Sequence, residues 1–134
     1  MQDRPTASEL LEAALAAYVR DLLPEIPGEK RYMALMVANA LAIVGRDLAQ
    51  GEALLQKEIK RLQELLTLPS SEIKNSDLLK AEAESLNRQL VAQIRTGAFD
   101  EPDAARDLQA HLVATTAEKL ATSNPKALRG KEEA

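Results

Sequence analysis

The 134-residue chain contains one histidine and no cysteine, so thiolate nucleophiles, thiolate metal sites and disulfides drop out together. His111 is the natural starting point for acid–base chemistry. On a helix, Asp107 lies one turn before it and Thr115 one turn after, a spacing that can orient an imidazole. The plainer reading is a solvated or half-buried helix residue, and no Gly-x-Ser-x-Gly elbow offers a nucleophile for it to activate. A di-iron bundle needs two Glu-x-x-His pairs, which one histidine cannot supply. Asp100, Glu101 and Asp103 have carboxylates enough for a hard cation. They lack a calcium-loop pattern, however, and suit the N-terminus of the helix that follows. Gly28, Gly51 and Gly97 sit at expected helix ends rather than in a phosphate cradle. No cofactor and no metal is expected, and the balance leans away from an enzyme.

The most informative polar residues are embedded in an apolar stretch. Tyr32, Leu35, Asn39, Ala42 and Arg46 fall along one side of a helix. A buried, unpaired amide costs about 1 to 3 kcal/mol and an unpaired guanidinium more, so Asn39 and Arg46 should have partners. Asp47, Asp3, Glu12 and a bound anion are the candidates. Two readings follow. One is a polar pair that fixes helix register. The other is a ligand pocket in which Arg46 meets a carboxylate or phosphate and Asn39 orients it, with Tyr32 and Asp47 completing the site.

The elements that must position these residues are all helical, because no segment alternates apolar and polar residues as a half-buried strand does. The pattern predicts one domain over residues 1–128, an all-α bundle of five helices around a central apolar helix, with a disordered tail over 129–134. The first helix starts at Thr6, which with Glu9 has capping-box spacing, and its inner face is Leu11, Leu15, Tyr18 and Leu22. The second, from about Glu29 to Ala49, is apolar almost all round and should be wrapped by the others. Gly51 is expected to end it, and Gly45 within it implies close approach of a neighbouring helix. The third, about Glu52 to Leu66, buries Leu55, Ile59, Leu62 and Leu66 and shows Lys57, Lys60, Arg61 and Glu64 to water. After a polar connection over 69–76, the fourth runs from Asp77 to Thr96 with Leu79, Ala83, Leu86, Leu90 and Ile94 inside. The fifth follows Pro102, uses Leu108, Leu112, Thr116 and Leu120, and stops before Pro125.

A net charge of −4 gives no general attraction to phosphate backbones. The basic residues Lys57, Lys60 and Arg61 are interrupted by Glu58 and Glu64, so they read as a solvated face, and no nucleic-acid partner is expected. The longest apolar run, Met33 to Val44, contains Asn39 and falls short of the roughly 20 residues a membrane span needs. The opening residues lack a signal-peptide pattern, which together with the missing cysteines makes a cytoplasmic location the expectation.

The opening Gln2-Asp3-Arg4-Pro5-Thr6-Ala7 with Glu9-Leu10-Leu11 and the central Val37-Ala38-Asn39-Ala40-Leu41-Ala42-Ile43-Val44 with Arg46 and Leu48 carry a family resemblance. So do Leu86-Asn87-Arg88, Ile94-Arg95-Thr96-Gly97 and Asn124-Pro125. Along nearly its whole length the chain resembles an uncharacterised bacterial family of small helical domains. Their genes often lie beside aminoglycoside-phosphotransferase-like kinases and acyl-CoA dehydrogenases. It departs from that pattern in the polar stretch before Asp77 and in Lys126-Ala127, where an aromatic residue is the norm. The resemblance implies small-molecule metabolism, possible pairing with a kinase or dehydrogenase of those kinds, and no catalytic residues. The functional expectation is therefore a homodimeric, non-catalytic accessory protein. A bundle binding a small anionic ligand near Asn39 and Arg46 is the alternative, and an uncharacterised enzyme the third. Self-association is expected through helix one or helix two, whose apolar arcs are too wide for one neighbour each.

Overall fold

A computed structural model describes residues 3–130. Among these residues it holds five α-helices and no strand: α1 (Ala7–Ala17), α2 (Arg31–Leu65), α3 (Ser76–Arg95), α4 (Pro102–Ser123) and α5 (Lys126–Arg129). The chain is all-α, as the periodicity predicts, with α2 as its long central helix. Two compact units divide between Gly51 and Glu52.

In the first unit Thr6 caps α1 by the expected reciprocal pair: the Glu9 amide donates to Thr6 Oγ1 (3.2 Å) and the Thr6 amide to Glu9 Oε2 (2.7 Å). The helix then widens into a single π-helical turn over Tyr18–Leu22, in which the Leu23 amide reaches back to the Tyr18 carbonyl. That turn carries one residue more than an α-turn. Leu23 (8% exposed) therefore takes the inward position expected of Leu22, which is 58% exposed. Two short 3-10 turns, Leu23–Glu25 and Gly28–Lys30, lead into α2. The Tyr18 hydroxyl donates to the Ala34 carbonyl (3.0 Å). A methyl group built on Gly45 would stand 3.7 Å from Leu11 Cδ2. Late α1 thus meets early α2 and the reverse, which makes the unit an antiparallel helical hairpin. The neighbour anticipated at Gly45 is present, at ordinary van der Waals distance.

Gly51 does not end the second helix. The predicted second and third helices are one, continuous from Arg31 to Leu65. A lone glycine costs only about 1 kcal/mol inside a helix, and the flanking Leu48, Ala49, Glu52 and Ala53 offer no cap or αL turn to exploit it. Asp47 uses the space, since a Cβ at Gly51 would lie 2.6 Å from Asp47 Oδ1.

In the second unit Ile59 and Leu62 from α2 and Leu66 just after it pack with Leu79, Ala83, Leu86 and Leu90 from α3. The periodicity anticipates this set, except that Ile94 is exposed. Helix α2 closes with Thr67 at φ 57°, and the Leu68 amide donates to the Gln63 carbonyl (2.8 Å). Asn75 caps α3 through Oδ1, which accepts from the amides of Asp77 (2.9 Å) and Leu78 (3.4 Å). Gly97, at φ 84°, ends α3 as expected.

Helix α4 is rotated from its anticipated setting. Leu112 and Thr116 are exposed, while His111 is buried and Leu108, Thr115 and Glu118 are half-buried along the same line. Leucine spacing alone is weak here because alanine and threonine dilute the stripe, and Arg61 holds the polar line inward. Of the tail expected over 129–134, Arg129 belongs to α5, and the last four residues lie outside the described set.

Candidate functional site

Along the first half of α2 the environment differs from the one anticipated. From Tyr32 to Gly45 the helix carries no charged residue. Ala34 is nonetheless the one residue of that stretch that is buried, because within the unit α1 covers a single face. Tyr32 (75%) and Met33 (70%) are largely in water, as are Leu35, Met36, Val37, Val44 and Leu48 to about half their surface. The central helix is therefore not wrapped along this half. Asn39 is exposed rather than buried, so it faces no desolvation penalty that an internal partner must relieve. Tyr32 and Asp47 are exposed and Arg46 is half-buried. Tyr32, Asn39 and Arg46 keep the shared side of the helix that their spacing gives them, and Asp47 follows Arg46 about 100° further round.

The enclosed polar chemistry lies in the second unit. Arg61, expected in water, turns inward and grips Glu118 with both arms, Nη1 to Oε1 at 2.8 Å and Nη2 to Oε2 at 2.6 Å. Nη2 also donates to Thr115 Oγ1 (3.3 Å). This fork-on-carboxylate geometry is the strongest form of ion pair and ties α2 to α4. It raises the Arg61 pKa, with the Glu118 hydrogen bond as the main cause. One turn earlier, Glu58 is buried and accepts from Asn87 Nδ2 (3.0 Å), which also donates to the Ala83 carbonyl (2.9 Å). His111 is 5% exposed. Burial pushes its pKa down, and the nearby Arg61 charge adds to that, against smaller opposing pulls from Glu58 and Glu118. His111 Nδ1 and Arg61 Nε have no hydrogen-bond partner in the protein. Burial disfavours the charged form of the imidazole, Arg61 is paired with Glu118, and no group of three or more metal-ligating side chains exists among the described residues. Chemically the cluster is suited to fixing how three helices meet.

Sequence reasoning singled out His111 and Thr115 but missed Glu58, Asn87 and Glu118. The signal was present. Glu58 interrupts the apolar line of Leu55, Leu62 and Leu66, and Leu108, His111, Thr115 and Glu118 follow at spacings of three and four. Asp103, by contrast, makes an exposed ion pair with Arg106 (3.3 Å), in keeping with its place in the first turn of α4.

An open groove of about 480 Å³ lies between α2 and the 70–74 segment, lined by the apolar Ile59, Ile73 and Leu79 and the charged Lys60, Glu72 and Lys74. Gln63 is buried there and donates to Ser71 Oγ (3.0 Å), holding the segment in place.

No curated protein and no solved structure is detectably similar to the chain. A family model does match, over residues 24–127, which takes in α2, α3 and α4 with the entire Arg61 cluster and leaves α1 outside. Those residues are most of the chain, and the protein accordingly belongs to the family described as Domain of unknown function (DUF6285).

Proposed function

We propose that the protein is a non-catalytic accessory protein that works by binding other macromolecules through its N-terminal hairpin. The observation that carries this reading is the uncharged, largely exposed stretch Tyr32–Gly45. Large exposed apolar patches are uncommon on soluble monomers and mark interaction surfaces. The enclosed polar groups support the same reading, because Arg61, Glu118, Glu58 and Asn87 spend their hydrogen bonds on one another. The setting that fits the family resemblance is the bacterial cytoplasm, in small-molecule metabolism of the acyl-CoA kind. A phosphotransferase-like kinase or an acyl-CoA dehydrogenase encoded nearby is the partner to try first. Co-expression of the tagged chain with each enzyme tests this. One of them should co-purify with the unaltered chain and be lost with Tyr32→Ala/Met36→Glu. Retention by that variant, or capture of neither enzyme, would count against the reading.

A second reading, binding of a small anionic ligand, is favoured by the 480 Å³ groove lined by Lys60 and Lys74 together with apolar side chains, and by half-buried Arg46 on the same side of α2 as Asn39, two turns on. Butyrate and inorganic phosphate should then raise the melting temperature, and Lys60→Ala or Arg46→Ala should abolish the rise at whichever site is used.

A further inference from the structure

The hairpin has one side on which α2 carries no charge between Tyr32 and Gly45. With α1 packed on the Ala34, Ala38 and Gly45 line of α2, helical geometry puts Met33, Val37, Val44 and Leu48 on a neighbouring line at intervals of about one or two turns. The antiparallel direction of α1 brings Leu10 and, after the π turn, Leu22 to that same side of the hairpin. Glu9, Glu12 and Arg20 of α1 fall on the opposite side, as does Arg46 of α2. All six apolar side chains are at least 44% exposed. We infer that this side is the self-association face of the protein, covered by the same face of a second copy so that two hairpins form a four-helix bundle. The inference rests on the reading of the hairpin as an interaction surface and names its occupant.

Three features favour a second copy over other occupants. A two-helix unit whose buried residues, among those described, are Leu23 and Ala34 has too little core to stand alone, and pairing two such hairpins into a four-helix bundle gives each of them a centre. The six side chains leave roughly 600 Å² in water, so two copies would bury roughly 1,200 Å², the lower end of what a stable specific interface needs. Finally, the α2 part of the face carries no charge that would require a complementary partner, Asp21 beside Leu22 is already paired with Arg20, and an uncharged stretch is compatible with itself under a twofold axis. A bilayer is the competing apolar environment, since α2 includes a window long and apolar enough to span one. The uncharged run from Tyr32 to Gly45 covers only about 21 Å of helix, however, against a hydrocarbon core of about 30 Å.

Sedimentation equilibrium of the full chain at micromolar concentration decides the matter. The expected result is a species of twice the 14.6 kDa chain mass. Val37→Glu/Val44→Glu should return it to one chain mass with helicity retained, and Leu35→Glu, off the face, should leave the dimer intact. If the double variant does not fold, the cysteine-free background allows a gentler readout. Ala40→Cys, within the face, should give a covalent dimer with a short bis-maleimide, and Leu35→Cys should not. A monomer for the unaltered chain, a dimer broken by Leu35→Glu alone, or a monomer that floats with phosphatidylglycerol vesicles would overturn the inference. A monomer that still retains an enzyme partner through Tyr32 and Met36 would sink the second copy while sparing the accessory reading. A dimer that captures neither enzyme would do the opposite.

Discussion

The two units of this chain spend their apolar residues in opposite ways. In the second, seven side chains from α2, the turn that closes it and α3 bury one another, and a polar cluster locks α4 alongside. In the first, α2 is richer in apolar residues and free of charge for fourteen positions, from Tyr32 to Gly45, yet Ala34 is the one residue of them that is buried and more than half are exposed. Apolar content therefore does not report burial. What decides burial is how many helices the chain supplies within reach of each face, and the hairpin supplies one.

The sharpest way to test that contrast is to delete equivalent leucines. Leu62 is completely buried, and Leu62→Ala should cost about 3 kcal/mol by removing transfer energy and leaving a cavity. Leu15→Ala in the half-buried hairpin should cost about 1 kcal/mol in a dilute sample, where no second copy contributes. Urea denaturation measures both, and equal losses would erase the distinction between the units. Next in size is the Arg61 pair. Glu118→Ala strands a guanidinium that retains some access to water, so the loss should be about 2 kcal/mol, less than for a fully buried pair. Glu118→Gln should recover part of it.

A smaller effect with the opposite sign is expected at the end of α2. Thr67 is β-branched and sits at positive φ, which is strained for any side chain and most of all for this kind. Thr67→Gly should stabilise the protein by about 1 kcal/mol, and a loss of stability would mean that the Thr67 side chain matters more than its backbone angle. The smallest effect is the pH response. The His111 pKa is lowered in the folded protein, from 6.5 in the unfolded chain, so the unfolded state binds the proton first as pH falls. Stability should therefore be fully present above pH 6.5 and decline as pH drops through that value towards the folded pKa. Glu58, Glu118, Arg61 and Lys119 set the charge around the imidazole, and His111→Gln should flatten the slope between neutral pH and 6. An unchanged slope in that variant would show that other groups carry the acid response.

Much of this was legible in the residues and some was not, for identifiable reasons. Thr6 with Glu9, Gly97 and the leucines of α3 speak through local rules, because a cap, a helix end and a stripe each depend on neighbours within a few positions. Gly51 misled because glycine ends a helix only where a left-handed turn follows it, and none does. The inward rotation of His111 depends on Arg61, fifty residues earlier, which reads locally as one more surface cation. Asn39 was misjudged for a complementary reason. An apolar context implies burial only if something else in the chain lies over it.

The π turn at Tyr18–Leu22 has an evolutionary consequence. Such a turn is what a regular helix becomes when a single codon is inserted and the surplus residue is absorbed without disturbing either end. The reverse event should be equally tolerable here: deleting one residue within this turn would restore an unbroken α-helix and leave Leu23 in its inward position relative to Leu15 and Leu11. Length variation among homologues is thus expected to concentrate at this turn, as steps of one residue, rather than in the loops where gaps are usually sought.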